Sequence, residues 1–200
     1  MVKTLKLYCA CIGFLFLIAC TTDSNKNEQW VYSQHGLWES KITGDLAIKT
    51  KESTERKPNE EDKYIIYSGV AGDGSDPKIK NIIDKWSFRQ VAKLVYKDKN
   101  HVYYHRPHSD GGFFYPIEAD SKTFEMIGES FAKDKNHIYY FSGSSGAGII
   151  DVDYDSFKTC FGCASIGKDK NNIYFLGKKV EPTEIKDDEA QKIFEYLQQN

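Results

Sequence analysis

Two cysteines three residues apart, Cys160 and Cys163 in CFGC, are the first residues whose type and spacing could do chemistry. A thiolate at a helix N-terminus is activated, and a C-x-x-C pair can cycle between dithiol and disulfide. Redox pairs of this kind sit in a βαβ context, and none surrounds this one. The simpler expectation is a local disulfide, which for so small a loop contributes about 2 kcal/mol. Histidines offer a second chemistry. His101, His105 and His108 fall close together, His101 and His105 at the spacing of one strand face, and His137 repeats His101 in a later segment. Zinc needs four protein ligands, or three and a water. No cysteine or carboxylate stands at a familiar ligand spacing from these imidazoles, so no metal and no cofactor is expected.

Three glycine-rich stretches are a third candidate: SGVAGDGSDP (Ser68–Pro77), RPHSDGG (Arg106–Gly112) and SGSSGAG (Ser142–Gly148). Functional residues favour loops held on a rigid scaffold. Asp73, Asp76, His108, Asp110, Ser144 and Ser145 are therefore the candidate ligand-contacting residues. GSSGAG lacks the terminal Gly-Lys-Ser/Thr of a phosphate-binding loop. No nucleophile, base and acid are placed together, so a non-catalytic protein is expected.

The elements that must position these residues are set by an internal repeat. KDKNHVYY (Lys97–Tyr104) returns as KDKNHIYY (Lys133–Tyr140) and KDKNNIYF (Lys168–Phe175). Asp98, Asp134 and Asp169 are spaced by 36 and 35 residues, and a step of 36 back from Asp98 reaches a worn copy at Asp62. A second phrase, D-x-x-[ST]-F, runs in step at Asp84–Phe88, Asp120–Phe124 and Asp153–Phe157. Its aspartates suit helix N-caps. The apolar residues three beyond each phenylalanine (Val91, Ile127 and Cys160) suit one face of a short helix. In the opening phrase Asp and Asn favour a turn. Period two then sends Ile66, Val102, Ile138 and Ile173 to one face of a strand and Tyr67, Tyr103, Tyr139 and Tyr174 to the other. Such a tyrosine ladder either stacks a sugar or peptide or packs one unit on the next, and packing is the commoner use. The fold class is therefore mainly β, with α+β repeats. Four units of about 36 residues, each an antiparallel hairpin or meander plus a short capped helix, must stack to bury their apolar faces. An amphipathic C-terminal helix in DDEAQKIFEYLQQN closes the array. The aromatic content, 14%, fits strands.

With both phrases quoted, a resemblance can be stated. The repeats resemble the DKNYY repeat family of bacterial exported and lipid-anchored proteins, over roughly residues 60–180. The resemblance implies a repeat architecture and supplies no catalytic residues.

The N-terminus carries a separate signal. Lys3 and Lys6 precede an uncharged run from Leu7 to Ala19, too short to span a bilayer and fitting the apolar region of a secretory signal. It ends in LIAC, which resembles a bacterial lipobox with Cys20 as the lipidated residue. That resemblance implies cleavage before Cys20 and an anchor of more than one acyl chain, which holds firmly where a single chain does not. Thr21 at the next position resembles an outer-membrane sorting signal. The expected layout is a signal peptide over 1–19, a lipidated cysteine and tether over 20–28, N-terminal strands and a charged loop over 29–61, and the repeat domain over 62–200. Without its signal the chain holds 25 basic and 29 acidic residues, a net charge of −4, and no basic block. Nucleic acid is therefore not an expected partner. The expected partners are a membrane, through the lipid, and a protein or glycan of the cell envelope. The function expected is a binding or scaffold module. The alternatives are an envelope thiol oxidoreductase using Cys160 and Cys163, and an inhibitor or immunity lipoprotein.

Overall fold

The computed structural model describes residues 29–50, 63–69, 76–107, 112–163, 165–185 and 188–199. Cys20, Asp62, Asp73, His108 and Asp110 lie outside the described residues, as do the signal and tether segments.

Among the described residues, fifteen strands form four antiparallel sheets, each a meander in which neighbours in sequence are neighbours in space. The first holds β1 (Trp30–Gln34), β2 (Leu37–Ser40), β3 (Leu46–Thr50) and β4 (Lys63–Ile65). A one-turn helix α1 (Ile79–Ile82) leads to the second, made of β5 (Arg89–Ala92), β6 (Val95–Lys97), β7 (Val102–Arg106) and β8 (Phe113–Ile117). The third contains β9 (Glu125–Met126), β10 (Phe131–Lys133), β11 (Ile138–Ser142) and β12 (Gly146–Ile150). The fourth has three strands, β13 (Ile166–Lys168), β14 (Ile173–Phe175) and β15 (Lys178–Val180), followed by the helix α2 (Asp188–Gln199).

The fold is mainly β and built of repeated sheet units, as the spacing predicts. The D-x-x-[ST]-F segments depart from the expected helices. Those at Asp84 and Asp120 are single turns, and the one at Asp153 is a three-residue 3₁₀ turn, Tyr154–Ser156. The chain then enters a strand, so Val91 lies in β5 rather than on a helical face. The cap chemistry is present without the helix. In the C-terminal segment the helix does form, and Phe194 and Leu197 are both buried.

Consecutive sheets share their cores. Leu37, Leu46 and Ile48 of the first sheet pack with Phe88, Tyr96, Tyr103 and Phe114 of the second unit. Val95, Val102 and Tyr104 pack with Phe124, Ala132, Tyr139 and Phe141 of the third. Phe131 stacks obliquely on Phe157 at the next junction, with ring centroids 5.4 Å apart. At the C-terminal end, Phe194, Leu197 and Ile185 cover Ile166 and Cys163. The period-two alternation explains the pattern: Tyr103 faces the preceding sheet, while Val102 and Tyr104 face the following one. The β14–β15 hairpin turns through Leu176 and Gly177, both at positive φ (53° and 75°). A β-carbon on Gly177 would stand 2.4 Å from the Tyr140 ring, so both the backbone and the unit junction require glycine.

Candidate functional site

Each repeated phrase closes one hydrogen-bonded clamp. In three units the aspartate of K-D-K-N is buried: Asp98, Asp134 and Asp169 are 2%, 3% and 7% exposed. One carboxylate oxygen accepts the backbone N–H groups two and three residues on, at 2.7–2.8 Å: Asn100 and His101, Asn136 and His137, Asn171 and Asn172. The other accepts the backbone N–H of the second phrase's aspartate (Asp84, Asp120 or Asp153) at 2.7–3.0 Å. The same oxygen accepts the hydroxyl of Tyr103, Tyr139 or Tyr174 at 2.7–2.8 Å. Those hydroxyls lie within 3.0–3.3 Å of the carbonyl oxygens of Ile82, Glu118 and Asp151, on the strands of chain that cross from one sheet to the next.

The second phrase forms the outer half of the clamp. Asp84, Asp120 and Asp153 accept from the backbone N–H and the hydroxyl of Ser87, Thr123 and Ser156. Each hydroxyl accepts in turn from the backbone N–H of Lys99, Lys135 or Lys170 at 3.0 Å. The ammonium groups of those lysines pair with the same three aspartates at 2.6–2.8 Å. Phe88, Phe124 and Phe157 each lie 6.0 Å, between ring centroids, from the clamp tyrosine of their own unit. Lysine, aspartate, asparagine, tyrosine, serine or threonine, and phenylalanine thus all meet in one structure. Links also run backwards: Ser121 donates to the Asp98 carbonyl, and the Tyr154 hydroxyl donates to the Asp134 carbonyl at 2.5 Å.

The electrostatics follow from these partners. Burial alone would raise the Asp134 carboxyl, but the N–H groups of Asp120, Asn136 and His137 and the Tyr139 hydroxyl outweigh it and hold it below the usual carboxylate range. Asp169 behaves in the same way. The Lys99 ammonium, with Ser87, brings Asp84 down to about 2. Burial, reinforced by the neighbouring carboxylate, pushes the Tyr174 hydroxyl up to about 12, and Tyr103 and Tyr139 rise for the same reasons. A buried anionic carboxylate with four donors is a poor general base, since every lone-pair direction it offers is already in use.

Tyrosine sequence periodicity therefore finds the ladder but not its bond. Tyr103, Tyr139 and Tyr174 each reach the aspartate of their own unit and the chain crossing from the preceding sheet, rather than a ligand. Tyr67 does not belong with them: it is 39% exposed. His101 and His137 sit exposed in the turns, while His105 is buried in β7. Among the described residues no group of three or more His, Cys, Asp or Glu is placed to hold a metal.

Two regions remain outside the clamps. The first is the edge where the glycine-rich segments leave the sheets. The Gly69 N–H donates to the Phe114 carbonyl at 2.9 Å, joining the base of the first segment to β8. Arg106 donates through its guanidinium to the Ser144 carbonyl, and the Tyr104 hydroxyl to the Ser142 carbonyl at 3.2 Å. Ser144 and Ser145 form a turn whose N–H groups point to the Ser142 hydroxyl. Asp76 lies against Gly69. The described parts of the three segments are thus adjacent through β7, β8 and β11. The second region, which the sequence reading missed, is an open groove of about 480 Å³ beside the third unit junction. It is lined by Lys133, Tyr154, Asp155, Lys158, Cys160 and Leu197 among others. Its wall includes Cys160, bonded to Cys163 with the Cα atoms 5.2 Å apart. In this segment Phe157 precedes Asp169 by 12 residues although Phe124 precedes Asp134 by 10, a two-residue insertion. Cys163 is 1% exposed. That change in repeat spacing is the sequence signal that marks this groove.

The model of the DKNYY family matches residues 10–143 and 111–178, two overlapping spans that together take in all three clamps. No curated protein and no solved structure matches the chain. The chain belongs to the DKNYY family.

Proposed function

We propose that this DKNYY-family protein is a lipid-anchored, non-catalytic binding module of the bacterial cell envelope. The observation that carries the reading is the complete internal use of the recurring polar residues. Asp98, Asp134, Asp169 and their tyrosines satisfy one another and the backbone, so the repeat supplies a rigid support. The surfaces that differ between units are then left to recognise a partner: the glycine-rich edge with Asp76, Ser144 and Ser145, and the groove beside Cys160. Their polar and aromatic lining suits a protein or glycan partner. A redox C-x-x-C thiol is activated at a helix N-terminus, whereas Cys160 and Cys163 close a turn that leads into β13, and this favours a structural role for the pair.

The anchor half of the reading rests on LIAC and Cys20. Mass spectrometry of the mature protein is expected to find a diacylglyceryl-modified Cys20 at the N-terminus. An unmodified N-terminus beyond Cys20 would remove the anchor. For the binding half, envelope glycans and proteins crosslinked to the wild-type chain should be lost when Ser142–Gly148 is exchanged for the short LGKKV turn of the fourth unit. Unchanged crosslinks would move the site away from this edge.

A further inference from the structure

The two ends of the array are finished differently. The fourth sheet is covered by Phe194 and Leu197 of α2. The inner face of the first sheet carries Leu37, Leu46 and Ile48 against the second unit. Strand alternation and register put Trp30, Tyr32, Trp38, Lys49 and Tyr64 on its outer face. The rings form one continuous patch. Trp30 stacks on Tyr64 with centroids 4.9 Å apart, and Trp38 meets Tyr64 and Tyr32 edge-on at 5.7 and 5.8 Å. The Lys49 ammonium lies 4.7 Å from the Trp38 ring centre. Tyr32 is 59% exposed. Beside the patch the Lys41 N–H donates to the Gln29 carbonyl at 2.9 Å, so the chain joins the sheet next to the Lys41–Ile42 turn, where Ile42 is 65% exposed.

We propose that this outer face rests on the bilayer surface to which the protein is anchored. The inference builds on the lipid at Cys20 in the preceding section. Three observations choose a membrane as the occupant. Tyr32 and Trp38 each join an apolar body to a polar tip and belong to the residue types that settle at headgroup level, while the Trp30 indole N–H is enclosed within the patch. The Lys49 ammonium, seated over the Trp38 ring, brings positive charge to the same level. The third is reach: ten residues from Cys20 to Trp30 span at most about 35 Å, so a lipid on Cys20 keeps the first sheet within that distance of the bilayer. Anchor and face then act as two linked contacts, the second held at high local concentration by the first.

The chain's three tryptophans allow a direct test: Trp30 and Trp38 lie on the face, whereas Trp86 is 89% exposed in the second unit. The lipidated full-length protein and its W86F variant are placed in phosphatidylethanolamine–phosphatidylglycerol vesicles, with plain or dibrominated acyl chains. W86F removes a side chain exposed to solvent and leaves only the two face tryptophans to emit. Bromolipid is expected to remove about half of the W86F emission, as burial at the headgroup–acyl boundary implies, and to shift it to the blue. The Trp86 signal, obtained as wild type minus W86F, is expected to be unchanged. W86F protein that floats with the vesicles yet emits equally in both lipids would overturn the docking while leaving the anchor in place. A blue shift without quenching would assign the face to a second copy or a soluble partner and overturn it too. Equal quenching of Trp86 would show that the contact is not made by this face. If Cys20 carries no lipid and the protein does not float, the anchor reading fails and the docking falls with it.

Discussion

Asp45, in the first sheet region, and Asp134, in the third unit, are both 3% exposed, yet they are held by opposite means. Asp45 is gripped by the ammonium groups of Lys78, at 2.7 Å, and Lys80. Asp134 is gripped by three backbone N–H groups and a buried hydroxyl. The lysine side chains are about one-third exposed and can turn to water if their partner is lost. The backbone donors around Asp134 cannot. A buried acceptor whose donors are fixed is costly to remove, because each stranded donor keeps its desolvation cost. The comparison teaches why one aspartate is written three times in the same phrase while the other belongs to no repeat.

Acid should loosen both regions, because burial of the Asp45 carboxyl is outweighed by Lys78 and Lys80 and it too is lowered, and the clamped units should contribute most. The lowered carboxyls of Asp134, Asp169 and Asp84 contribute stability that is complete above their ordinary value of 3.8. That stability is lost as pH falls through the folded values, which for Asp84 is about 2. Unfolding followed by tyrosine circular dichroism should therefore steepen below pH 3.8 in the three clamped units together. Next in size is Asp134→Ala, expected to cost about 4 kcal/mol in urea unfolding, since it strands several buried donors at once. Tyr139→Phe should cost about 1.5 kcal/mol, the loss of one hydrogen bond to a charged group. Asp45→Ala should cost about 1 kcal/mol after allowance for solvent screening, and this loss should shrink in high salt. A loss at Asp45 as large and salt-independent as that at Asp134 would erase the distinction. The smallest effect belongs to Lys135→Ala, which breaks an exposed pair with Asp120. Its midpoint shift should be slight and should vanish in 1 M salt, where the Debye length is about 3 Å.

The sheet units were legible in the sequence because their signals are local and repeat. Period-two apolar residues, turn-forming Asp and Asn, and a spacing of 36 residues all point to stacked strands. The helices expected at D-x-x-[ST]-F were not found, because capping chemistry is shared by helices and single turns. Ser87 satisfies Asp84 within one turn, and Phe88 is then drawn into the core beside Tyr103. The tyrosine–aspartate bond was hidden for another reason. Tyr139 and Asp134 are five residues apart, a separation that no strand or helix period brings together. Only the turn between β10 and β11 closes it. Of the candidate loop residues, Asp76, Ser144 and Ser145 are placed near the shared edge. The groove beside Cys160 depends on contacts between units and leaves no period in the chain.

The most direct test of the clamp is a double-mutant cycle on Asp134 and Tyr139. Asp134→Asn keeps the size of the side chain and removes its charge, Tyr139→Phe removes the hydroxyl, and both are combined in one chain. Groups joined by a buried hydrogen bond should be non-additive, here with a coupling energy of about 1–2 kcal/mol in urea unfolding. The same cycle on Asp98 and Tyr103 should give a similar coupling. Additive losses in both units would contradict the account, because the recurring aspartate and tyrosine would then be stabilising the fold independently rather than through one repeated clamp.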